Sequence, residues 1–122
     1  MSAVPVPRLS PEQDLELERA YAVMDKEEII TRLREHQAEL RRGGIERLFL
    51  FGSYVRGTAV RDASDVDLIA DFDGTKRLTL FDKAGLEVEL GELLNSRVDL
   101  CDRAMLKEPV RLNAEREGVL VF

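Results

Sequence analysis

Asp65-Val66-Asp67-Leu68 sets two carboxylates two residues apart in a stretch that alternates polar and apolar. In an extended strand such residues project from one face, so Asp65 and Asp67 stand side by side while Val66 and Leu68 point into a core. Two like charges about 4 Å apart, at an effective dielectric near 20, repel by roughly 4 kcal/mol. Packing alone does not offset that cost. A divalent cation does, and a few hard oxygen ligands suit Mg²⁺ held jointly with substrate phosphates. A third carboxylate lies in Arg97-Val98-Asp99-Leu100-Cys101, where Val98 and Leu100 alternate inward and Asp99 faces the other way. Asp99 joins the pair if its strand is a neighbour of theirs.

Gly52-Ser53 supplies the complementary half. It follows the apolar run Leu48-Phe49-Leu50-Phe51, so the chain leaves a buried strand and turns sharply. Glycine admits close approach of a phosphate to the backbone. Ser53 brings a hydroxyl and an N–H to the start of a short helix, where backbone donors favour anions. Arg56 extends the loop and is placed to meet a phosphate or a site carboxylate.

These groups require a frame, and hydrophobic periodicity outlines one. Ser10 and Pro11 begin a first short helix over residues 10–23, with Gln13 able to close a capping box. Asp25 to Glu28 open a second helix carrying Ile29, Ile30, Leu33, Gln37 and Leu40 at helical spacing, and Gly43-Gly44 ends it. Strands follow at residues 45–51, 65–72 and 97–101. Thr79, with Asp82 three residues on, caps a third helix whose apolar set is Leu80, Ala84, Val88, Leu90, Leu93 and Leu94. Gly85 and Gly91 each weaken that helix by about 1 kcal/mol relative to alanine. Pro109 opens a last helix that Gly118 ends, and residues 119–122 form a small edge strand. The expected fold is α/β (α+β): a small mixed sheet of three to four strands with helices packed against it. Residues 1–24 read as an arm and short helix, and residues 25–122 as the domain.

Composition narrows the function. The 122 residues suit one domain, at 44% hydrophobic and 34% charged. Eighteen Lys and Arg against 24 Asp and Glu leave a formal charge of −6, which argues against direct binding to a nucleic-acid backbone. The single Cys101 cannot form an internal disulfide. No apolar run is long enough to span a bilayer, and the first residues lack the features of a signal peptide, so a cytoplasmic location is expected. His36, alone among charged neighbours, reads as a surface residue. Tyr54 reads as packing on its loop, and Lys76, Arg77, Lys83, Glu87, Glu89 and Glu92 read as solvated.

Leu50-Phe51-Gly52-Ser53-Tyr54-Val55-Arg56-Gly57 followed by Ser64-Asp65-Val66-Asp67-Leu68 resembles the signature of polymerase beta-type nucleotidyltransferases. Within them it is most similar to the minimal nucleotidyltransferases (MNT proteins), which often form the antitoxin half of HEPN/MNT pairs. The resemblance runs from about residue 45 onward and includes the strand of Asp99. Eleven residues lie between Ser53 and Asp65, one more than the common family spacing. The surplus is expected to bulge within Arg61-Asp62-Ala63.

The resemblance implies that Gly52 and Ser53 hold a triphosphate and that Asp65, Asp67 and Asp99 bind two Mg²⁺ ions. Asp99 is alternatively the base that accepts the hydroxyl proton. It further implies transfer of AMP from ATP to a hydroxyl, with release of pyrophosphate. Larger relatives hold the acceptor with a further domain, for which 122 residues leave no room. For MNT antitoxins the implied acceptor is a tyrosine of a cognate HEPN toxin, a helical RNase, bound in a hetero-oligomer of a type VII-like toxin–antitoxin system. A contact surface is expected on the last or the N-terminal helix. Two alternatives accompany this reading: an antitoxin that neutralises by binding alone, and an aminoglycoside-type nucleotidyltransferase with a small-molecule acceptor.

Overall fold

In the computed structural model, residues 10, 11, 25–59 and 65–122 are described. The expected helix over residues 10–23 lies almost entirely outside them, as does the expected bulge at residues 61–63.

Asp25 accepts a hydrogen bond from the Glu28 N–H at 2.9 Å and so caps α1 (Lys26–Glu35). The helix expected to run unbroken to Gly43 is divided. His36 lies between α1 and α2 (Gln37–Arg42), with φ −107° and ψ 15°. Its ring Nδ1 lies 2.9 Å from the Arg32 carbonyl oxygen, the acceptor that its own backbone N–H would reach in an unbroken helix. His36 therefore has a local structural partner. Gly43-Gly44 ends α2 as expected, and Gly44 does so at φ +113°.

Four strands make one mixed sheet: β1 (Ile45–Phe51), β2 (Val66–Phe72), β3 (Val98–Asp102) and β4 (Val119–Leu120), in the order β3-β2-β1-β4. β1 runs antiparallel to β2 and to β4, whereas β2 and β3 are parallel. A parallel pair needs a crossover. Helix α4 (Leu80–Leu94) provides it, after the one-turn helix α3 (Ser53–Arg56) that follows β1. The register shifts between Ile45 and Arg47, an irregularity that lets Ile45 and Leu48 both face the core despite their odd spacing.

One face of the sheet carries Leu48, Leu50, Val66, Leu68 and Ala70. It packs on Ile29, Leu33 and Leu40 of α1 and α2 and on Leu86, Leu90 and Leu94 of α4. The buried stripe of α4 thus differs from the expected set: Leu80 and Val88 are 83% and 62% exposed. The Thr79–Asp82 capping box forms in full, and Asn95 ends α4 at φ +48°. The chain then crosses the opposite face of the sheet through a 3₁₀ turn (Arg103–Met105) and α5 (Glu108–Glu117) to reach β4. Phe49, Ile69, Ala114 and Leu120 line a small cavity on that face. Among the described residues, no helix is long and apolar enough to cross a membrane.

Gly85 is exposed in the middle of α4, and an added Cβ would meet nothing within 4 Å. Gly85→Ala is therefore expected to stabilise the protein by about 0.5–1 kcal/mol through lost unfolded-chain entropy. Urea unfolding should show a higher midpoint with an unchanged slope.

Candidate functional site

The tripeptide Val-Asp-Leu occurs twice, at residues 66–68 and 98–100, and the parallel pairing sets the two copies in register. Asp67 thus lies directly opposite Asp99, with Val66 beside Val98 and Leu68 beside Leu100. The valines and leucines go to the side covered by α1, α2 and α4. The two aspartates are left on the other face, as the alternation requires. The neighbourhood of strands two and three that the sequence left open is real.

On the other flank of β2, Phe51 is paired with Asp67, which brings Gly52 against the Asp67 side chain. Gly52 is buried at φ +81° and ψ −151°, and a Cβ built there would collide with the Asp67 carboxylate. Backbone and carboxylate can come this close only at glycine. Ser53 opens α3, while the Gly52 carbonyl accepts from the N–H groups of Val55 and Arg56, each at 3.1 Å. Gly57 closes the turn in the left-handed region at φ +74°.

Asp67 is half-buried, and burial pushes its carboxyl above the ordinary carboxylate value. The negative charges of Asp99 and Asp65 push further in the same direction, and Arg56 opposes them. Asp65 sits just ahead of β2, more exposed, with Oδ1 3.1 Å from Arg97 Nε. Among the described residues, no three acidic, histidine or cysteine side chains are already drawn into a metal-holding cluster. The donor set nonetheless fits a hard divalent cation: oxygen ligands alone, neighbouring negative charges that raise the Asp67 carboxyl's pKa, and a glycine that leaves room beside Asp67.

Arg56 reaches Glu117 of α5 at 3.5 Å rather than a carboxylate of the site. Tyr54 is buried in the core. Burial, followed by the charges of Asp99, Asp67 and Glu87, pushes the Cys101 thiol up, which keeps it protonated and unreactive. Two basic residues read as solvated hold structure instead. Lys83 pairs with Asp102 at 3.1 Å and lies over the Phe72 ring, and Lys76 donates to the Arg42 carbonyl at 2.7 Å at the end of α2.

The sequence left Arg97 without a role and Glu87 read as solvated. Arg97 precedes β3 as Asp65 precedes β2, so the repeated Val-Asp-Leu carried a signal for their pairing. Glu87 accepts a hydrogen bond from the Leu100 backbone N–H at 3.1 Å and is not a purely solvated residue.

A family model of the nucleotidyltransferase domain matches residues 26–121. The chain belongs to the nucleotidyltransferase domain family. Its relatives include the protein adenylyltransferase MntA of Thermococcus cleftensis, 43% identical over 101 residues, which cover 82% of this chain and 99% of that one. A solved minimal nucleotidyltransferase superposes with a TM-score of 0.68 at 34% identity, over 80% of this chain and 97% of the other. A crystal structure of a toxin–antitoxin with AMP-PNP gives a TM-score of 0.59 at 25% identity, over 73% and 72% of the two chains. The four-stranded mixed sheet is accordingly the minimal nucleotidyltransferase fold, and the face of this nucleotidyltransferase that bears Asp67 and Asp99 is its candidate active site.

Proposed function

We propose that this chain transfers AMP from ATP to a tyrosine hydroxyl of a cognate HEPN toxin and thereby acts as its antitoxin. The observation that carries the reading is the in-register meeting of Asp67 and Asp99 beside Gly52, in a chain 43% identical to a protein adenylyltransferase. Asp65, Asp67 and Asp99 would hold Mg²⁺, which when bound supplies Lewis-acid stabilisation of charge on the phosphoryl group. Gly52 and Ser53 bring backbone and hydroxyl donors to the triphosphate, and Arg56 is free to exchange its exposed partner Glu117 for a phosphate. The acceptor oxygen bonds to the α-phosphorus, the bond to the β-phosphate breaks, and pyrophosphate leaves; the hydroxyl proton is lost, with Asp99 the candidate to accept it.

In this reading the acceptor is presented by another chain. Exposed apolar side chains suited to such contact occur on α4 as well as around α5: Phe81 is 89% exposed, Met105 79% and Val110 53%.

The test is mass spectrometry of the small helical protein encoded beside this chain, after incubation with Mg²⁺ and each nucleoside triphosphate in turn. ATP should add one or more AMP units to it, and the Asp65→Asn/Asp67→Asn double variant should add none. A stable complex without any mass change would identify an antitoxin that acts by binding alone. Absence of a complex as well would move the search to small-molecule acceptors.

A further inference from the structure

Among the described residues β3 is an edge strand, paired with β2 on one side. Its outward backbone groups must find partners elsewhere. The outward N–H of Leu100, the residue immediately after Asp99, donates to Glu87 Oε2 at 3.1 Å in a partly buried contact. The bond is charge-assisted, stronger than a neutral one of the same length.

Glu87 does not act alone. Lys83, Glu87 and Gly91 lie at intervals of four on α4 and so share one helix face. Lys83 Nζ pairs with Asp102 Oδ2 at 3.1 Å. The Gly91 carbonyl accepts from the Ser96 N–H at 3.1 Å, and a Cβ on Gly91 would stand 3.2 Å from the Ser96 oxygen. Glu87 and Lys83 thus fasten α4 to β3 beside Asp99 and beyond it, while the Gly91–Ser96 bond closes the end of the helix just ahead of the strand. The Glu87 fastening is the one adjacent to that carboxylate.

We propose that Glu87 is a positioning residue for Asp99, holding the edge strand so that the third carboxylate stays opposite Asp67. The kinetic part of this inference rests on the nucleotidyl-transfer reading above. The metal-binding part does not.

The experiment compares Glu87→Ala, Glu87→Gln and Lys83→Ala in the full chain, with its acceptor protein for the kinetics. Three quantities are read: exchange of the Leu100 amide by NMR, Mn²⁺ affinity by water-proton relaxation, and kcat against KM for the nucleotide. Loss of an outer-shell partner is worth about 10–100-fold in metal affinity or activity. Glu87→Ala should therefore speed Leu100 exchange, weaken Mn²⁺ binding by about tenfold or more, and lower kcat by about 10–100-fold with KM little changed. Glu87→Gln keeps an oxygen acceptor in place and should recover most of both losses. Lys83→Ala removes a fastening of the same helix away from Asp99 and should cost thermal stability without the loss in kcat or Mn²⁺ affinity. If Glu87→Ala behaves like Lys83→Ala, the proposal is overturned. If the alanine variant does not fold, Glu87→Leu keeps the bulk without the acceptor and is judged by the same outcomes. A wild-type protein that transfers nothing would overturn the functional reading only. The positioning role then stands or falls on whether Glu87→Ala weakens Mn²⁺ binding.

Discussion

Asp67→Asn is expected to lower nucleotide transfer by about 10³-fold or more, equivalent to about 4 kcal/mol of lost transition-state stabilisation. Asp67 lies between Gly52 on one flank and Asp99 on the other, so each candidate contact of the site converges on it. The same variant should be more stable than the wild type when no metal is present. Burial and two neighbouring charges raise the carboxyl's pKa in the folded state, so its ionisation opposes folding. The sign follows from proton counting. Between the unfolded and folded pKa values the native state binds more protons, and stability falls as pH rises through that window. Above it the penalty is constant. The urea midpoint of Asp67→Asn should exceed that of the wild type at pH 7, and the gap should narrow as pH falls to the ordinary carboxylate value. Active Asp67→Asn protein would sink the assignment of this residue; equal midpoints at pH 7 would sink the electrostatic account.

Gly52→Ala should be nearly as damaging to activity, and it should also weaken the fold. At φ +81° and ψ −151° Gly52 occupies backbone space open to little except glycine, where another residue costs about 1–3 kcal/mol. The new methyl would also be driven into the Asp67 carboxylate. Gly57 provides the comparison within the same loop. It sits in the left-handed helical region at φ +74°, and a Cβ there meets nothing within 4 Å. Gly57→Ala should cost only about 1 kcal/mol and leave transfer intact. Paired denaturation and transfer assays on the two variants separate backbone strain, common to both, from collision with the site, present in one. Equal activity losses would show that the loop's flexibility, not the room beside Asp67, is what matters.

Much of this arrangement was readable from residue order because it depends on local rules. The turn after Phe51, the Thr79–Asp82 capping box and the alternation around Asp67 and Asp99 are each decided within a few residues. The adjacency of β2 and β3 is long-range, but the repeated Val-Asp-Leu hinted at it: two strands with the same alternation bury the same face when they pair. What escaped was decided by contacts without a local signature. The division at His36 depends on a ring reaching back to the Arg32 carbonyl, a choice that helix periodicity does not register. Glu87 looked solvated because its partner is a backbone N–H, and every residue type except proline offers one. Leu80 and Val88 were assigned to the core because α4 has more apolar residues than its buried stripe of Leu86, Leu90 and Leu94 needs.

The short strand β4 has a consequence for how the protein is made. Leu48 exchanges hydrogen bonds with residues 121 and 122 at 2.8 and 3.0 Å, Val121 is 1% exposed, and Arg34 Nε donates to the Val121 carbonyl at 2.7 Å. Until these residues have left the ribosome, β1 lacks the partner that covers this edge in the folded chain. Synthesis thus passes through a stage in which β1, β2 and β3 are present but the template at the β1 edge is open to other strands. Whatever binds the emerging chain during that interval guards a surface that the finished protein covers with a few residues.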